Sequence, residues 1–143
     1  MSCFVSRMDV SGYTGKGTIE ITYIIGGGRT PSSPGKSFPS SERTAYLPAT
    51  DEGFDALRLL RIAFLRRLIF KMDASNPAGI TWNIQHKTSL TNSPHGYPDP
   101  TYLTRLMQEL KDNGVRLKSM SEEEENLSLE FVERVMKTKI TRN

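Results

Sequence analysis

One short stretch holds most of the groups able to do chemistry: Trp82, His86, His95 and Tyr97. It contains both histidines and the only tryptophan of the 143-residue chain. Imidazole titrates near neutrality, so it can move a proton or donate to an anionic oxygen. Indole and phenol rings offer flat faces to a ligand ring or sugar. Pro94, Pro98 and Pro100 bracket Gly96 and Tyr97. Proline fixes its own φ and restricts the residue before it, which makes this loop stiff. A stiff loop carrying such side chains is a place to bind a ligand. The same residues also suit a packed turn with ordinary aromatic anchors, and spacing alone leaves the two readings level. Beyond the loop, Tyr102 and Glu109 stand seven apart on an expected helix. They share a face that can look back at the loop. Read alone, Glu109 is a solvated surface carboxylate.

The elements that position this loop are legible from periodicity. In Thr18–Ile25, Ile19, Ile21 and Tyr23 alternate with Thr18, Glu20 and Thr22, the pattern of a half-buried strand. Residues 29–41 are rich in Pro, Ser and Gly and predict a long irregular connection after Gly26, Gly27 and Gly28. Its backbone N–H groups are suited to phosphate. A short strand follows at 43–48. Thr50 or Asp51 then caps a helix over 52–67, with Phe54, Leu57, Leu60 or Arg61, Phe64 and Leu68 on one face. Arg58, Arg61, Arg66 and Arg67 read as a solvated basic face. A strand at 68–72, a turn at 73–79 and a strand at 80–84 deliver the chain to His86. A helix over 100–113 follows, with Leu103, Leu106, Met107 and Leu110 as its apolar face and Gly114 as its stop. Ser121 and four consecutive glutamates open a last helix, striped by Leu127, Phe131 and Val135. Residues 1–16 read as a lead-in. The glycines between Ser11 and Thr18 do not make a phosphate loop, because they precede a strand rather than open a helix.

Composition narrows the function. The length suits one domain with its own core. No apolar run is long enough to span a bilayer, and no signal pattern opens the chain, so a soluble intracellular protein, cytoplasmic or nuclear, is expected. One cysteine and two histidines cannot assemble a zinc cluster, so no metal site is expected. The formal net charge of +3 gives weak support to direct nucleic-acid binding.

Several segments then match one family in order along the chain. They are 17–23, Pro34-Gly35, 45–48, 67–70, Trp82-Asn83, His86-Lys87-Thr88 and, above all, Gly96-Tyr97-Pro98-Asp99-Pro100. The chain resembles the C-terminal domain of the deltex family of ubiquitin ligases over roughly 17–115, with 116–143 as a helical extension. The resemblance implies an α+β fold: a single domain with a small, bent, mainly antiparallel sheet on two helices, similar to WWE domains, plus the C-terminal helix. It implies a module that binds ADP-ribose or NAD+ as a ligand and holds no tight cofactor. In the family, this domain recruits ADP-ribosylated proteins, while a RING domain brings the ubiquitin-loaded conjugating enzyme. Together they direct ubiquitin to a target or to an ADP-ribose hydroxyl. Some members act in Notch signalling and others in DNA-damage responses.

Carried over residue by residue, the resemblance implies a ligand site of Ser75, Trp82, His86, His95 and Tyr97. Glu109 and His86 are its implied acid–base groups. The family usually carries two adjacent histidines before Lys-Thr; here the first is Gln85. The 26–34 loop is shortened, and the turn at 73–77 is not the usual glycine- and threonine-rich one. Without a RING among its residues, the chain is not a complete catalyst. The alternative reading is a protein-interaction module on the same fold, without nucleotide binding. An independent NAD-consuming enzyme is the weakest of the three readings.

Overall fold

The central strand explains most of the architecture. In the computed structural model, β2 (Thr18–Ile25) pairs antiparallel on both sides. One partner is β1 (Ser2–Ser6), with Val5 opposite Ile19; the other is β5 (Ser41–Pro48), with Leu47 opposite Ile19 and Ala45 opposite Ile21. The alternating side chains Val5, Ile19, Ile21, Tyr23, Ala45 and Leu47 are all buried. Each large apolar side chain buried this way contributes about 2 kcal/mol relative to exposure. The structure describes residues 1–26, 28–30, 33–38, 40–92 and 94–141, with the backbone alone at 28–30, 33–38 and 140–141.

Helix α1 (Asp51–Leu65) lies against this sheet. Thr50 caps it, accepting the Gly53 N–H at 3.1 Å. Gly53 is needed there, because a side chain would run into the Pro48 carbonyl. The helix buries Ala56, Leu57, Leu59, Leu60, Ile62 and Ala63, a wider arc than one stripe. Two further helices account for that width. Both α2 (Tyr102–Asp112) and α3 (Glu122–Thr141) pack on α1. A 3-10 turn at Leu117–Ser119 joins them.

The fold is α+β with antiparallel sheets and a C-terminal helix, as expected. Its strands are distributed over three sheets: β1-β2-β5, the hairpin β3 (Gly28–Thr30) with β4 (Ser33–Phe38), and the hairpin β6 (Phe70–Met72) with β7 (Ile80–Trp82). Three expectations need correction. The 29–41 connection is largely a hairpin, because backbone groups make its ladder and composition does not report them. Gly27, Pro31, Ser32 and Pro39 lie outside the described residues. The first sixteen residues are more than a lead-in: they supply β1, and Val5 joins the core. The first helix ends at Leu65 rather than 67, since Arg67 takes a left-handed φ of 62°. Among the described residues, no helix is long and apolar enough to cross a membrane. Nor does any group of three or more His, Cys, Asp or Glu suit a metal ion.

Candidate functional site

The stretch after β7 closes the free edge of β5. The Tyr46 N–H donates to the Lys87 carbonyl at 2.9 Å, and the Tyr97 hydroxyl donates to the Tyr46 carbonyl at 2.8 Å. Both backbone groups of one edge residue are thereby satisfied by the loop. The loop is tied to itself as well. Thr88 and Ser89 give their N–H groups to the His95 carbonyl, and a side chain at Gly96 would strike the Thr91 carbonyl. Lys87 is buried; its Nζ donates to the Pro94 carbonyl at 2.6 Å and lies 2.9 Å from Asp99. Arg105 of α2 also pairs with Asp99. The hydrogen bond from Lys87, with help from Arg105, holds the Asp99 carboxyl down at about 2.

Helix α2 grips the chain at Gln85. The Tyr102 hydroxyl donates to the Gln85 carbonyl at 2.8 Å. The two carboxylate oxygens of Glu109 accept the Gln85 N–H at 3.1 and 3.3 Å. The seven-residue spacing on α2 therefore does put Tyr102 and Glu109 on the loop. Glu109 is half-buried and Gln85 is exposed. A carboxylate held by one backbone amide keeps lone pairs for a second donor.

His86 faces inward. Its Nδ1 lies 2.7 Å from the Ile84 carbonyl and its Nε2 lies 2.8 Å from the Tyr23 hydroxyl. A carbonyl can only accept, so Nδ1 carries the proton and Nε2 accepts from Tyr23. Burial pulls the His86 pKa down to about 4, opposed by its bond to Ile84. Burial also pushes the Tyr23 phenol well above its ordinary value, which keeps it a donor. At neutral pH the imidazole is uncharged and both nitrogens are taken. The role left to it is positioning. Its ring stacks on Trp82 at 4.3 Å and 17°, and Phe70, across the β6–β7 ladder, stacks on Trp82 at 4.8 Å. Tyr23 meets Phe70, Trp82 and His86 edge-on.

The remaining expected residues divide. Trp82 is half-buried, with part of its surface open. Ser75 is exposed in the β6–β7 turn, where its hydroxyl donates to Asp73 at 2.6 Å. His95 is exposed on the loop. Tyr97 is fully buried among Tyr13 and Tyr102, so it anchors the loop from within rather than walling an open pocket. The structure thus stacks Trp82 with His86 and Phe70, sets Tyr23 edge-on to all three, and brings Glu109 to Gln85. A groove of about 430 Å³ runs beside this stack, lined by Ile24, Phe64, Leu65, Arg67, Ile69 and Phe70 among others. None of the six expected residues lines it, but Phe70 links it to Trp82. Tyr23, Lys87 and Asp99 are neighbours of these residues that the sequence did not single out. Tyr23 carried a strand signal and a place in the matched 17–23 segment, and Lys87 and Asp99 only their places inside matched motifs.

An α+β domain whose proline-bracketed loop closes a sheet edge and is gripped by the following helix defines a class. Residues 1–115 match the Deltex C-terminal domain, and the chain belongs to that family. It is 46% identical over 114 residues to the human Probable E3 ubiquitin-protein ligase DTX3, covering 72% of this chain and 33% of that protein. It is 41% identical over 127 residues to E3 ubiquitin-protein ligase DTX1 of Xenopus laevis (80% and 20% covered). It is 38% identical over 120 residues to E3 ubiquitin-protein ligase DTX4 of Mus musculus (76% and 20%). The chain spans a third or less of the length of these relatives.

Proposed function

We propose that this chain is the ADP-ribose- or NAD+-binding domain of a deltex-type ubiquitin ligase. It recruits ADP-ribosylated proteins and, with a RING domain supplied elsewhere or in trans, supports ubiquitin transfer to a target or to an ADP-ribose hydroxyl. The observation that carries this reading is the Gln85 junction. There a half-open carboxylate, Glu109, is held in place three residues along the chain from a half-open indole, Trp82. The indole is already stacked with His86 and Phe70, so it offers a base or sugar the part of its surface that stays open, held rigidly by those two rings. The exposed His95 and Ser75 supply polar contacts to phosphate or ribose oxygens. Glu109 takes the proton of a ribose hydroxyl as its oxygen attacks the thioester carbonyl at the ubiquitin C-terminus, and the thiolate of the conjugating enzyme leaves. His86 serves the site by holding Trp82, not by moving that proton.

Calorimetric titration with ADP-ribose tests the reading. Saturable binding is expected in the wild type and in Glu109→Gln. With a RING-bearing fragment and a loaded conjugating enzyme added, Glu109→Gln loses transfer to the ADP-ribose hydroxyl. A folded chain that takes up no ADP-ribose would overturn the reading in favour of an interaction module without nucleotide binding. That second reading has one observation in its favour: His86 has no free ring nitrogen for a ligand.

A further inference from the structure

Four arginines sit on or just past α1, and α3 treats them differently. Arg58 donates to Ser128 Oγ at 3.0 Å and lies 3.6 Å from Glu125. Arg66 makes a two-pronged pair with Glu124, both bonds at 2.7 Å. Arg61, one turn on from Arg58, pairs with no carboxylate among the described residues. It faces Phe131, whose ring centre is 4.4 Å from the guanidinium carbon. Arg134 of α3 lines the same groove as Arg61, at the meeting of α1, β1 and α3. Among the described residues, neither arginine makes a hydrogen bond or ion pair. Glu130 stands one turn before Arg134 and Glu133 beside it, but neither forms an ion pair with Arg61 or Arg134, and Lys137 adds a further positive charge to that helix.

This arrangement asks for a third party. Arg61 is half-buried. An aromatic face attracts a guanidinium but takes none of its five N–H donors as an oxyanion would. Burial pulls the Arg61 pKa down; the nearby Cys3 opposes that, and the charge of Arg134 pulls it further down. Two like charges line one groove of about 300 Å³, and among the described residues neither is in an ion pair with a carboxylate. Paired guanidiniums match the oxygens of a phosphate by geometry as well as charge.

We propose that this groove binds a phosphate dianion between the guanidiniums of Arg61 and Arg134. The site shares no residue with the Trp82–Glu109 region and does not depend on what binds there.

The test is a proton–nitrogen correlation titration of the whole chain at constant ionic strength. Inorganic phosphate and phosphoserine are added in separate arms, with chloride as the control. Saturable shifts are expected at residues 1–3, 61 and 134, with the Trp82 indole unmoved. Arg134 is exposed, so Arg134→Gln leaves the fold intact. It is expected to weaken phosphate by about tenfold or more, the loss of one charge-assisted partner. Tighter binding of phosphoserine identifies a monoester site, and equal binding identifies a site for the free ion. The amino group of Met1 also feels Arg61. A chain extended at its N-terminus by a few neutral residues is therefore included, and it should bind equally well. Non-saturating shifts, unchanged affinity in Arg134→Gln, or binding lost in the extended chain would each overturn the proposal. So would a Trp82 indole that moves in step with the groove.

Discussion

A neutral imidazole at position 86 has a measurable consequence. Folding buries His86 and lowers its pKa from 6.5 to about 4. In the unfolded chain the ring takes a proton near its ordinary value. Between those two pH values the unfolded chain binds the extra proton, so stability falls as pH is lowered through that window. Above about pH 6.5 this contribution is complete. The fall amounts to about 3 kcal/mol by the low end of the window. Urea unfolding followed from neutral pH downward should show it in the wild type and show much less of it in His86→Gln. An equal slope in the variant would assign the pH dependence to other groups. The result also separates two roles. A histidine that acts by charge would keep a pKa near neutrality, whereas one that stacks on Trp82 and accepts from Tyr23 does not.

At the scale of elements, the loop is held by a charge pair placed inside the molecule. Lys87 is 5% exposed, and Asp99 is its counter-charge. Removing one member of such a pair leaves the other buried and unpaired, which costs about 3 kcal/mol. Asp99→Asn should therefore lower the unfolding free energy by about that amount, and denaturant unfolding checks it. The Lys87 Nζ also lies over the Tyr102 ring, 5.3 Å from its centre, so an unchanged midpoint would show that this face and the Pro94 carbonyl satisfy Lys87 without Asp99. Elements with strong periodicity were legible in the sequence. The strand Thr18–Ile25 appears with the expected bounds, and Gly114, with φ of 80°, stops the second helix. The Tyr102–Glu109 face was legible because a helix fixes which residues share a side. The hairpin at 28–38 and strand β1 were not, because their pairing depends on backbone partners that composition does not encode. The inward turn of His86 was hidden for a similar reason. Its partner Tyr23 lies 63 residues away, and a motif reads the same whether its histidine points in or out.

For the whole molecule, the segment beyond the family match is part of the core. Phe131, Val132 and Val135 of α3 are buried with residues of β1, β2 and α1. The Val5 N–H donates to Thr138 Oγ1 at 2.8 Å, so the last helix is joined to the first strand. Arg58 and Arg66 join it to α1. The stripe of Leu127, Phe131 and Val135 was visible in the sequence, but Leu127 proves to be 46% exposed and Ser128 buried, bonded to Arg58. This scaffold holds the Trp82–Gln85–Glu109 region beside an aromatic stack in which Trp82 meets both Phe70 and His86. We propose that ADP-ribose binds against that stack. The chain has a single tryptophan, so its indole N–H gives one resonance that reports on this place alone. The most direct measurement follows that resonance in a proton–nitrogen correlation spectrum as ADP-ribose is added. A saturable shift is expected, with the same affinity that calorimetry gives. An indole resonance that stays in place in a folded chain, at ADP-ribose concentrations that saturate any calorimetric signal, would contradict it.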